Sequence, residues 1–388
     1  MTFILRDHNN KYLSLTPHCF LKSLEAPSVY DVENDELYEL SEEAFAFLQR
    51  LPARVGDLGD KEFLDYCLQE GIVSFTENPV VRDTAVQASP VPSLRYLELN
   101  ITDRCNLACA HCYLGPSRSG DMPLFLISRA MEEFALMQGL RLLITGGEPL
   151  LHREFWKMNE RLREYPFRSV LLSNGTLITQ ETARRLKVHE VQVSLDGWEA
   201  SHDRLRGDGS FKKAVQGIEH MLAQGTRVSV ATMVHAFNLN DFERLEKFLQ
   251  EIGVSEWNVD VPCVAGNLME HPDIYLPPGK AAQYLKYGFS EGSHASSGNY
   301  VCGAHLCAVL PDGRVCKCAF FAEEPAGMVQ EEGLRNCWLR IPRMNLNELR
   351  CDCEELMECR GGCRYRALLY QDIYAKDPVQ CFARGFTP

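Results

Sequence analysis

Between residues 96 and 261 the chain alternates strand-like and helix-like stretches, and this alternation restricts the fold more than any other feature. Short apolar alternating runs fall at 96–101, 141–145, 169–173, 190–194, 227–234 and 257–261. Between them, helical periodicity starts near 128, spans 154–163, starts near 179, and spans 211–223 and 241–252. Parallel neighbours require a crossover connection, and each gap here holds a helix, so the six strands predict a parallel sheet in an α/β fold. Function in such folds concentrates on the loops at the strand C-termini.

The loop leaving the first strand reads CNLACAHCYLG and carries Cys105, Cys109 and Cys112. A disulfide would use two of these thiols. Tetrahedral zinc takes four protein ligands, or three of mixed type with an open position. Three thiolates and a vacant fourth position suit a [4Fe-4S] cluster whose remaining iron is ligated from the substrate side. Spacing alone leaves zinc or a structural role open.

The surrounding pattern narrows this. CxxxCxxC follows the first strand, Tyr113 follows the last cysteine, and Gly146-Gly147-Glu148-Pro149 closes the next strand. With these motifs the chain resembles the radical S-adenosylmethionine (SAM) superfamily. The resemblance implies a partial (β/α)6 barrel, a cluster on Cys105, Cys109 and Cys112, and SAM chelating the free iron. Reductive cleavage of SAM then yields a 5'-deoxyadenosyl radical. It also implies a SAM-binding set: Tyr113, the close-approaching backbone of Gly146 and Gly147, and Glu148, which accepts from the methionyl ammonium. Asn174 in SNGT, and Ser194 with Asp196 in SLDG, fall where the family contacts the ribose and carboxylate, and Arg206 in HDRLRG pairs with the carboxylate. The plainer role for Asn, Ser and Asp beside Gly is turn formation.

A formal charge of −13 argues against nucleic acid as the main partner. No run of about 18 apolar residues suggests a membrane partner, and MTFILRDHNN lacks a signal-peptide core, so the expected location is the cytoplasm. Sixteen cysteines in such a chain point to metal rather than disulfides. Iron–sulfur centres are oxygen-sensitive, which suggests a low-oxygen setting.

Three domains are expected, over residues 1–90, 91–265 and 266–388. In the first, runs at 28–32 and 37–40 flank Glu33-Asn34-Asp35 as a hairpin. Ser41 is a helix N-cap before the stripe Ala44, Phe45, Phe47, Leu48 and Leu51. A second helix carries Phe63, Leu64, Cys67 and Leu68 and ends at Gly71 before a short strand. This arrangement resembles the winged-helix-like peptide-recognition domains fused to maturases of ribosomally made peptides, whose leader adds a strand to the sheet edge. The alternative is a cap that only packs on the barrel. Residues 77–93 read as a linker that lets this domain swing.

The last domain is cysteine-rich and resembles the SPASM extension of radical SAM enzymes. Gly313 with Cys318, Cys353 with Cys359, Cys359 with Cys363, and Cys381 follow its spacing, whereas Cys351 and Cys353 are one residue apart instead of two. Carried over, the pattern implies a first auxiliary cluster on Cys302, Cys307, Cys318 and Cys363. A second falls on Cys351, Cys353, Cys359 and Cys381, giving three [4Fe-4S] clusters in all. Cys316 is an alternative ligand of the first, the CxC bite puts Cys351 in question, and two structural zinc sites are the competing reading.

The function these resemblances imply is a maturase that takes a hydrogen atom from a ribosomally synthesised precursor peptide and installs a crosslink or other modification. Flavodoxin or ferredoxin would supply the electron. Rivals are modification of a haem precursor, maturation of another protein such as a sulfatase, and a non-catalytic iron–sulfur electron carrier or sensor. Ala319 stands where sulfatase-maturing enzymes typically carry Asp.

Overall fold

The computed structural model describes residues 11–55, 61–81, 86–115, 120–290, 294, 298–301 and 303–388. The expected ligand Cys302 and linker positions 82–85 lie outside the described residues.

The first domain contains β1 (Tyr12–Leu15), β2 (Cys19–Ser23), β3 (Pro27–Asp31), β4 (Glu36–Glu39), α1 (Glu42–Gln49), β5 (Ala53–Arg54), α2 (Lys61–Gln69) and β6 (Val73–Thr76). Two antiparallel sheets, β5-β1-β6 and β2-β3-β4, close over Leu13, Val29, Phe45, Leu48, Leu64, Cys67 and Ile72. Ser41 caps α1 as expected, its hydroxyl accepting from the Ala44 N–H at 3.2 Å. The expected hairpin is β3–β4. Its turn is fixed by Asp31, whose carboxylate accepts the N–H groups of Glu33 and Asn34, and by Asp35, which takes a left-handed φ of 64°.

The barrel follows in order: β7 (Tyr96–Thr102), α3 (Leu124–Leu136), β8 (Arg141–Gly146), α4 (Phe155–Arg161), β9 (Arg168–Ser173), α5 (Gln180–Arg185), β10 (Glu190–Ser194), α6 (Glu199–Arg206), α7 (Ser210–Leu222), β11 (Arg227–Met233), α8 (Phe242–Glu251) and β12 (Glu256–Asp260). The sheet order β12-β11-β10-β9-β8-β7 is parallel throughout. Strand alternation gives it two chemically different faces. Leu97, Leu99, Leu142, Ile144, Leu171, Val191, Val193, Val228, Val230 and Trp257 pack with the helices in one apolar core. The registers put Glu98, Asn100, Thr145, Gln192, Ser194, Met233 and Asn258 on the other, inner face.

The sheet does not stop at the barrel. β13 (Leu306–Val309) pairs parallel to β7, and β14 (Arg314–Cys316) and β15 (Gly327–Met328) extend it antiparallel, so the C-terminal domain continues the barrel sheet. Arg366 in the helix Arg364–Tyr370 adds a second tie, donating to Asp260 at the end of β12 at 2.6 Å.

The first domain contacts the opposite, N-terminal ends of the strands through buried polar groups. Lys22 is buried and donates to the carbonyls of Gly139 and Pro166 at 2.8 and 2.6 Å, and Glu25 pairs with Arg95 at 2.8 Å. Asp35 enters among Arg141, Arg168 and His294. Among the described residues no helix is long and apolar enough to cross a membrane.

Candidate active site

Each barrel strand delivers a polar or thiol group at its C-terminal end. β7 leads into the Cys105–Cys112 loop and β8 into Gly147-Glu148. β9 leads to Ser173 and Asn174, β10 to Ser194 and Asp196, β11 to His235, and β12 to Asp260 and Cys263.

The glycine pair acts on the cysteine loop itself. The Gly147 N–H donates to Thr102 O at 2.8 Å and the Glu148 N–H to Arg104 O at 2.7 Å, which laces the end of β8 to the stem of that loop. A Cβ at Gly146 would collide with Thr102 O, and one at Gly147 with Arg104 O; Gly146 also has φ 137°. Glycine is therefore required by backbone packing one step away from the thiols.

Glu148 is fully buried. Its carboxylate accepts from the Ser173 hydroxyl at 3.0 Å, the Asn174 N–H at 2.9 Å and the Leu150 N–H at 3.3 Å. Burial pushes its pKa up to about 7 against those donors. Three donors leave acceptor capacity on a carboxylate that offers about four lone-pair positions.

The loop thiols are set in donors. The Leu107 N–H lies 3.5 Å from the Cys105 sulfur, the Asn174 amide 3.9 Å from it, and the Arg206 guanidinium 3.9 Å from the Cys109 sulfur. Asn267, which belongs to no motif, donates to the carbonyls of Cys109 and Cys112 at 3.0 and 2.9 Å. Burial pushes the Cys109 thiol up to about 11, opposed by Arg206. Three thiols on one loop, with donors aimed at two of them, suit a cluster that leaves one iron free for a further ligand. Among the described residues, the ligand atoms of His18, Cys19 and Asp31 also lie within 4.8 Å of one another, but the Asp31 carboxylate is taken up by the β3–β4 turn.

Asp196 and Arg206, expected at the SAM ribose and carboxylate, are paired with each other. Arg206 Nε donates to Asp196 Oδ2, the Met233 N–H donates to Oδ1 at 2.7 Å, and His111 Nε2 lies 3.6 Å from Oδ2. Burial raises the Asp196 pKa, but Arg206 and His111 outweigh it and hold the carboxyl well below its usual range. His111, between two of the cysteines, belongs to no spacing motif; burial lowers it to about 4, against the pull of Asp196. The pair therefore acts as a buried brace that aims a cation at Cys109. Ser194 ends β10 on the inner face. Tyr113 turns its ring onto Phe320 at 4.9 Å, and Phe320 stacks on Tyr365 at 4.9 Å, forming an aromatic column toward the C-terminal domain.

In that domain Cys351, Cys353, Cys359 and Cys381 line one cavity of about 230 Å³ with Lys376 and Asp377. The short CxC bite does not keep Cys351 away. Cys363 is a free thiol whose N–H is held by Asp377 at 2.7 Å. A hydrogen bond from the Cys263 S–H lowers the Cys363 thiol below its usual range, with Arg366 assisting against burial. Cys318 shares the surroundings of Tyr365 with this pair. Cys307, expected beside Cys318 and Cys363, instead points into the helix-packed core with Leu97 and Val309. Cys316 lies on the opposite face, across from Ala308.

An open parallel sheet with a three-thiol loop on its first strand and a glycine–carboxylate turn on its second defines an α/β barrel enzyme built around a thiolate-ligated metal cluster. The chain belongs to the radical SAM superfamily, whose model matches residues 99–249. It is 30% identical to the AdoMet-dependent heme synthase of Nitratidesulfovibrio vulgaris, over 76% of this chain and 95% of that one. It is 26% identical to the mycofactocin maturase MftC of Mycobacterium tuberculosis, over 69% of this chain and 77% of that one. Among solved structures, Streptococcus suis SuiB bound to precursor peptide SuiA matches with a TM-score of 0.66 at 13% identity, covering 94% of this chain and 98% of that one. Membership implies a [4Fe-4S] cluster and SAM, and the donor-lined thiols of Cys105 and Cys109, with Cys112 on the same loop, fit such a cluster.

Proposed function

We propose that this enzyme modifies a ribosomally synthesised precursor peptide. One observation carries the reading: the likeness to SuiB, crystallised with its precursor peptide, spans 94% of the chain and so takes in most of the first domain. The resemblance to MftC, a maturase by name, supports it. We further assign SAM to the mouth formed by Glu148, Asn174 and Ser194, and a second [4Fe-4S] cluster to the cavity of Cys351, Cys353, Cys359 and Cys381. A small electron carrier such as flavodoxin or ferredoxin delivers the electron.

When bound, the cluster and SAM supply a carbon radical that removes a hydrogen atom from the substrate. The chain's own groups prepare that step. Arg206, held by Asp196, places positive charge at Cys109, and the Leu107 N–H and Asn174 amide approach Cys105, which stabilises thiolate charge. Glu148, locked by Ser173 and Asn174, offers its remaining acceptor to the methionyl ammonium. The inner face, with Gln192 and Asn258, gives an extended peptide polar partners, while the helix side stays apolar. Glu98 on that face bonds to Asn100 and Tyr113, and burial raises its pKa, which suits it to take the proton an oxidised substrate releases.

The test is anaerobic incubation with dithionite, SAM and the peptide encoded beside the gene. A mass change on that peptide is the expected result, and 5'-deoxyadenosine without any peptide change would sink the reading. A second reading rests on the 30% identity to a heme synthase and predicts that an iron porphyrin precursor is altered under the same conditions.

A further inference from the structure

Cys263 belongs to no motif in the sequence, yet it occupies a telling position. It follows the C-terminal end of β12 and is buried, two residues after Val261, whose carbonyl accepts from Arg366 of the Cys363 helix. The contact is built from several sides. Arg366 donates to Asp260 at 2.6 Å and to Asp377 at 3.1 Å, and Asp377 holds the Cys363 N–H. This clamp draws the Cys363 loop against the end of the barrel strand. Tyr365, two residues after Cys363, packs against Phe320 and Phe321, which follow Cys318, while Arg366 reaches Asp260 and the Val261 carbonyl just before Cys263, so three distant chain segments bring their thiols to one junction. Arg366, itself mostly buried, faces both Cys263 and Cys363 and stabilises thiolate charge there.

Cys307 is oriented the other way. Its register partner on β7 is Leu97, and that row of side chains, with Val309 and Leu99, packs into the helix-covered core. Strand alternation separates it from the inner face, where Glu98, Ala308 and Cys316 lie. No side-chain rotation carries a β-strand residue through its own sheet.

We propose that Cys263, and not Cys307, joins Cys318 and Cys363 as a ligand of a further iron–sulfur centre, set at the junction of barrel and C-terminal domain. The proposal deepens the cofactor assignment above and rests on the chain carrying auxiliary clusters. Three thiolates from three segments, beside a buried guanidinium, form a donor set suited to iron–sulfur ligation. Such a centre would sit at the far end of the Tyr113, Phe320 and Tyr365 column that starts at the SAM-cluster loop.

The test uses the full chain, reconstituted anaerobically, with iron and sulfide counted and the reduced protein examined by EPR. Cys263→Ser is expected to lose about four irons and one EPR component relative to wild type, while Cys307→Val keeps both. Cys263→Asp, which retains an anionic ligand, is expected to keep the iron with shifted g-values, separating ligation from misfolding. Full iron in Cys263→Ser together with iron loss in Cys307→Val would overturn the assignment. So would a Cys263–Cys363 disulfide in a non-reducing peptide map of the loaded protein. Because the readout is iron and not product, a failure to modify any peptide would count against the proposed substrate alone.

Discussion

Asp35, at the tip of a hairpin in the first domain, forms an ion pair with Arg141 at the first residue of β8, 106 positions further along the chain. Arg168 at the start of β9 lies 3.7 Å from the same carboxylate, and His294 bonds to it at 3.0 Å. Both arginines are largely withdrawn from water, so the hairpin tip supplies the counter-charge for the closed end of the barrel.

Asp35→Ala should therefore cost about 3–5 kcal/mol, the range for removing one partner of a buried pair. Burial raises the Asp35 pKa, but His294 and Arg141 outweigh it and hold the carboxyl well below its ordinary value. A depressed carboxyl contributes stability that is present above its unfolded pKa of about 3.9 and lost as pH falls below it. Thermal unfolding at pH 7 and pH 3 checks this: the gap between wild type and variant should narrow at the acid end.

Gly147→Ala should cost about 1–3 kcal/mol by overpacking and lower iron occupancy of the Cys105 loop, because the new methyl meets the Arg104 carbonyl. Gly279→Ala is the control, since a methyl there finds ordinary contact with the Phe382 ring at 3.5 Å. Unfolding curves and iron assays on both variants decide it.

SAM affinity should rise with pH through neutrality. Glu148 has a folded pKa of about 7, above its unfolded value of about 4.3. What it contributes to stability is present below pH 4.3 and lost as pH climbs through 7. A cation beside the carboxylate favours the charged form, so binding strengthens over the upper part of that window, by about tenfold from pH 6 to pH 8. Calorimetric titration should show this slope, and Glu148→Gln should bind more weakly with the slope gone.

Replacing any one of Cys351, Cys353, Cys359 or Cys381 by Ala should remove about four irons per chain, the four changes being equivalent because the thiols line one cavity. Cys67→Ala, in the core of the first domain, should remove none.

The barrel was legible because its strands alternate β-branched and aliphatic residues between clear turn signals, and β10 spans the very residues its pattern marks. Helices with polar sequences were not. α6 reads EASHDRLR and buries only His202 and Leu205, so it has no apolar stripe, yet it carries Arg206 to Cys109. α3 starts four residues before the expected Ser128, at Leu124 behind Pro123, because the proline sets the entry and exposed Phe125 blurs the periodicity. β2 does not read as a strand because Lys22 interrupts its apolar pattern, although that lysine is buried against two barrel carbonyls. Motif spacing found the four thiols of the C-terminal cavity but said nothing of which way a strand residue faces, and Cys307 turns into the apolar core.

The parallel pairing of β13 with β7 makes the boundary near residue 265 a seam within one sheet. A barrel excised there would present the bare backbone of its first strand to other molecules and invite edge-to-edge association. Evolution of a new C-terminal module onto this barrel must therefore preserve a strand in that slot, whatever metal chemistry the module brings.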